Sequence, residues 1–184
     1  MERDMDDIVK SVAVLADSRD QFRVRANEAA RELGIASIDS LATRFHSPPN
    51  PAPDGFGYEQ RGLGGWLATW QFALFEILYN FREAALPILR QVAFGEYDWI
   101  QCNAIEVLCR LAAEGVDRDR TLIDLKRQLP DMRYEAHIYV AGPLLWQAAS
   151  NPAIAEILHD LESVNEFHEA VEELRGENGR NASV

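Results

Sequence analysis

Cysteine is scarce in this chain: two residues among 184, Cys102 and Cys109. On a helix they stand two turns apart, about 10.5 Å along the axis at ~1.5 Å rise per residue. A disulfide needs α-carbons within about 7 Å, so the two do not bridge each other. Structural zinc sites use closely spaced cysteine pairs, and no second pair exists. Both thiols are expected as small apolar core fillers, with no metal and no cofactor. Long apolar runs are lacking as well. The longest, GLGGWLATWQFALF (62–75), falls short of the ~20 residues a membrane-spanning helix needs. The opening MERDMDDIVK lacks the basic-then-apolar order of a secretory signal. These absences lead to the expectation of a soluble cytoplasmic protein with no membrane partner.

Basic residues are in deficit: 18 against 30 acidic ones, a net charge of −12. Residues 151–184 hold 8 acids and 2 bases, half of that net charge. Such a chain repels phosphate backbones, so no nucleic-acid partner is expected. It attracts basic proteins. Catalytic signatures are also missing. GFGYEQRGLGG is no P-loop, and it follows proline-rich coil rather than a strand. There is no G-x-S-x-G and no H-E-x-x-H. Of the four histidines, His46, His137, His159 and His168, the most site-like is His137, beside Glu135 and Arg133.

What the chain does have is helical periodicity. Met5, Ile8, Val12 and Leu15 recur on one face of a helix expected from about Glu2 to Ala16. Ser18 and Gln21 have the spacing of a capping box opening a second helix. Gly34 stands where a left-handed C-terminal cap belongs. A third helix is expected from about Ser37 to Phe45. Residues 46–65 then carry four prolines and five glycines, a loop too long for a plain connection. Residues 66–81 are apolar almost all round, the mark of a central buried helix. A last acidic helix starts at Asn151–Pro152, and Asn165 restarts a short one through Leu174. Strict alternation is absent and no strand is expected. The predicted organisation is one all-α domain over 1–177, with a loop at 46–65 and a disordered tail at 178–184.

Between residues 82 and 149 the pattern repeats. REAALPILRQVAFGEYDWIQCNAIEVLCRLAAEG and DRTLIDLKRQLPDMRYEAHIYVAGPLLWQAAS both read as helix, turn, helix. Ala104 matches Ala136 and Leu108 matches Val140, each 32 residues on. The first unit supplies Leu86, Pro87, Leu89, Asp98, Ile100, Ala104, Leu108 and Leu111. The second supplies Leu122, Leu125, Asp131, Met132, Arg133, Ala136 and Val140. This resembles HEAT-type repeats, and FRVRANEAARELG (22–34) resembles a second helix of an earlier unit. Three features depart from the pattern: Gln101 in place of the usual arginine, a long turn around Gly95–Asp98, and Pro143, expected to break the last helix. The resemblance implies an α-solenoid of antiparallel helical hairpins that recognises a partner rather than catalysing one reaction.

Trp99, Asn103, Glu106 and Arg110 form a stripe opposite the apolar face of their helix; the matching positions one repeat on include Glu135. Second helices of stacked hairpins line one concave surface. Glu106 and Arg110 also have i, i+4 spacing for an ordinary ion pair. His137 joins the candidate partner-binding set, and Phe56 and Tyr58 offer a second contact on the loop. The functional expectation is a non-enzymatic protein-binding module. Its concrete form is a small acidic immunity protein or inhibitor, monomeric or weakly dimeric, that masks a basic toxin or nuclease. Two rivals stand beside it: an enzyme with a site near Glu106, Glu135 and His137, and a structural subunit that associates through 66–81.

Overall fold

The computed structural model describes residues 4–62, 64–96 and 98–181, with backbone only from 177 onward. The fold is all-α: eleven α-helices and no strand among the described residues. Two compact units make up the chain, Met1–Ile88 and Leu89–Val184.

In the first unit, α1 (Met5–Ala13) buries Ile8, Val9, Val12 and Ala13, and Glu2 lies outside the described residues. The second helix, α2 (Arg19–Leu33), buries only alanines: Ala26, Ala29 and Ala30. Small side chains there let two helix backbones approach closely. Ser18 holds the N-cap position in extended geometry, but its hydroxyl makes no cap bond, so the expected capping box does not form. Gly34 ends α2 at φ 70°, a conformation that disfavours any side chain. A 3-10 turn (Ile35–Ser37) leads into α3 (Ile38–Ala42), which is shorter than the periodicity predicts. After the proline-rich segment come α4 (Tyr58–Arg61) and α5 (Gly65–Asn80).

Helix α5 is the core of this unit. It packs against α1, α2, α3 and α4. Ten of its residues are buried, from Trp66 and Trp70 through Leu74, Phe75, Ile77 and Leu78, while Phe72 is exposed. The backbone of residues 44–49, leading into the proline-rich segment, is tied to this helix by polar side chains. The Trp66 indole N–H donates to Pro49 O (2.9 Å) and the Trp70 indole N–H to Arg44 O (2.8 Å). Gln71 donates to Phe45 O (3.0 Å). A proline-rich backbone has carbonyls to spare and few N–H groups, and at Pro49 the donor comes from the neighbouring helix.

A 3-10 turn (Arg82–Ala85) precedes α6 (Leu86–Ala93), in which the boundary between the units falls. The second unit continues with α7 (Gln101–Ala113), α8 (Arg118–Gln128), α9 (Tyr134–Ala148), α10 (Pro152–Leu161) and α11 (Asn165–Asn181). Here α7 packs on α8, α9 and α10, α9 on α10 and α11, and α8 on α10. Leu108, Leu111, Leu125, Leu129, Val140, Leu144, Ile157, Leu161 and Phe167 form its core. Asp117 opens α8 at φ 47°, rare for a residue with a side chain; its carboxylate receives Arg90 Nη2 at 2.8 Å. Asn151 caps α10 by accepting from Ala153 N and Ile154 N.

Two expectations are corrected by this unit. Pro143 does not break its helix, because α9 runs through it to Ala148. A proline removes one hydrogen bond, and the packed face of Ala136, Val140, Ala141 and Leu144 holds the helix across that gap. The last helix does not stop near Leu174 either. It reaches Asn181, over part of the segment read as tail, and 182–184 lie outside the described residues.

Candidate functional site

The α7–α9 face of the second unit assembles most of the predicted stripe. Trp99 sits in the turn before α7 and is 55% exposed. Its ring lies 5.1 Å from that of Tyr139 on α9, tilted by 57°. Tyr139 too is 46% exposed, so both rings of the pair meet solvent. Glu135 is exposed one turn before Tyr139 on the same helix face. Pro143 and Trp146, also exposed, continue that face. Asn103 is half-buried on α7.

Glu106 and Arg110 are internally committed. Glu106 accepts from Gln147 Nε2 and stands 3.6 Å from the Arg110 guanidinium, both half-buried. Their carboxylate–amide–guanidinium set ties α7 to α9. The ordinary i, i+4 pairing is what forms, with Gln147 added from the neighbouring helix.

Two residues of the predicted set are corrected. His137 is 2% exposed and belongs to the core. Its Nε2 lies 2.7 Å from Leu129 O, which assigns the proton to that nitrogen. The rings of Tyr134 and Phe167 meet the imidazole edge-on at 6.5 Å, and Nδ1 is buried without a partner. Helical phase explains this: Ala136 and His137 point inward while Glu135 points out. Phe56 is likewise buried, edge-on to Trp66 at 5.6 Å, with the Arg61 guanidinium 4.1 Å above its ring. Tyr58 is 73% exposed, in the first unit.

Tyr139 and Trp146 join this face from outside the predicted set. Their signal was legible: large aromatics at 139 and 146, seven residues apart, out of phase with the buried line Ala136, Val140 and Leu144.

Both cysteines are free, Cys109 buried and Cys102 half-buried. Burial pushes the Cys109 thiol far up, and the nearby Glu106 carboxylate adds to it. Burial also raises Cys102. Neither is an activated nucleophile, which needs a depressed pKa. On α10 and α11, oxygens of Glu162 and Glu172 and a ring nitrogen of His168 gather within 4.8 Å. Arg175 already fills that cluster, reaching Glu162 at 2.7 and 3.0 Å and Glu172 at 2.8 Å. Its hydrogen bonds hold the Glu172 carboxyl below its usual range. The guanidinium thus already pairs with two of the three groups.

What the geometry defines, then, is an all-α protein whose second unit exposes an aromatic and acidic helix face. Comparison with protein-family models, with curated proteins and with solved structures finds no match.

Proposed function

We propose that the chain is a non-enzymatic protein-binding module, in concrete form a small acidic inhibitor of the immunity-protein kind that masks a basic toxin or nuclease. The observation that carries it is the half-exposed Trp99–Tyr139 pair on a chain of net charge −12. Aromatic side chains exposed together are costly in water and are enriched at protein interfaces. A surrounding negative field speeds encounter with a basic target and makes it sensitive to salt. Helix neighbours in the second unit support the HEAT-like reading: α7, α9 and α11 are successive partners, and so are α8 and α10, as in stacked hairpins.

Two rival readings have less to support them. A site built on Glu106, Glu135 and His137 would need a buried imidazole and a committed carboxylate. Self-association through 66–81 would rest on Phe72, the exposed large apolar side chain of α5, while ten other residues of that helix are buried within the first unit.

The test is capture on the immobilised protein at low salt, then assay of the purified basic partner's own activity with and without this chain. Stoichiometric inhibition that weakens in high salt is the expected result. A partner that is acidic, or one left fully active in the complex, would sink the proposal.

A further inference from the structure

The Trp99–Tyr139 pair has features that select one kind of side chain. Pro143 has no N–H, so the Tyr139 carbonyl, four residues earlier, lacks the donor that an unbroken helix supplies. Tyr139 and Pro143 are both exposed, so this acceptor lies on the outer face of α9. Glu135 adds an exposed carboxylate one turn away on the same helix. Along one exposed face of α9, Glu135, the Trp99–Tyr139 ring pair and the turn of the Tyr139 carbonyl thus follow one another at one-turn spacing. A planar cation with several N–H donors satisfies all three kinds of group at once, by stacking on the rings, bonding to the carbonyl and pairing with the acid. An ammonium is a compact, strongly hydrated point charge that stacks less well and spreads its donors differently.

We propose that this patch seats an arginine side chain of the basic partner. The inference rests on the binding-module reading above and names the group that reading leaves open. The negative charge of the chain favours a cationic occupant. The two rings beside an acceptor and an acid favour a planar, many-donor guanidinium over an ammonium.

The test uses the full chain with two probes, a short oligo-arginine peptide and an oligo-lysine peptide of equal length. Binding is followed by NMR on the Trp99 indole N–H, assigned with Trp99→Phe. The arginine peptide is expected to shift that signal and to bind about threefold or more tighter than the lysine peptide. Trp99→Ala and Tyr139→Ala should erase the preference. Pro143→Ala should erase it too, by giving the Tyr139 carbonyl back its donor. Trp99, Tyr139 and Pro143 are exposed, and alanine favours the helix, so folding is retained. Equal affinity for the two peptides overturns the arginine seat and leaves the acidic-mask reading standing. So does a preference that survives the three alanine variants. Failure of both peptides to bind at low salt overturns the two readings together.

Discussion

His137 shows how one residue's environment decides its role. Its imidazole N–H to Leu129 O bond lies inside the second unit, where nothing from solvent reaches it. His137→Ala removes that bond and opens a cavity, so unfolding in urea should show a loss of about 2–4 kcal/mol. Trp99→Ala, at an exposed position, should change stability by less than about 1 kcal/mol. Equal losses at the two sites would contradict the placement of His137 in the core. The cysteines make a pH prediction. Their native thiols ionise at higher pH than in the unfolded chain, where ionisation sets in near pH ~8.5. Their contribution to stability is therefore complete below that pH and is lost as pH rises above it. Urea midpoints should decline above pH ~9 more steeply in the natural chain than in Cys109→Ala. Iodoacetamide should label Cys109 only under denaturing conditions, as read by intact mass.

Among the elements, α10 and α5 give the sharpest tests. Asn151 is the one N-cap here whose side chain makes the cap bonds, among those described. Asn151→Ala should cost about 1 kcal/mol, measured by denaturant unfolding. Ser18 has a cap residue's position without its bond, so Ser18→Ala should cost less than about 0.5 kcal/mol. If the two variants lose equal stability, the assignment of caps is wrong. On α5, Trp66→Phe keeps most of the ring but removes the N–H that holds Pro49 O. Faster proteolysis within 47–62 is the expected outcome, with a global loss of about 1 kcal/mol. Cleavage unchanged from the natural chain would show that Phe56 packing alone secures the loop.

For the whole molecule the governing quantity is charge. Internal pairing neutralises several acids: Arg175 on Glu162 and Glu172, Arg25 on Glu32 and Arg90 on Asp117. Glu166, Glu169, Glu172 and Glu173 still face solvent along α11. Association with a basic partner should slow steeply between low and physiological salt, read by stopped-flow, with dissociation much less affected. Exposed ion pairs contribute about 0–1 kcal/mol each, so the same salt change should barely move the melting temperature. A large drop in melting temperature on adding salt would mean the pairs matter more to the fold than to the encounter.

The sequence by itself determined the all-α class, most of the longer helices and the central place of residues 66–81. Helical period and a helix apolar on every side are local properties, and they survive into the fold because burial follows them. It also placed Gly34 and Asn151 at helix ends, since backbone conformation and side-chain reach there depend on a few neighbours. Only the tertiary structure decided which stripe residues stay available. Glu106 is taken up by Gln147, forty-one positions away, and Phe56 by Trp66 and Arg61. Trp99 found Tyr139, forty positions on, because α7 packs on α9. Pairings between distant helices depend on packing geometry that no local pattern encodes, and the continuity of α9 through Pro143 depends on the face packed behind it.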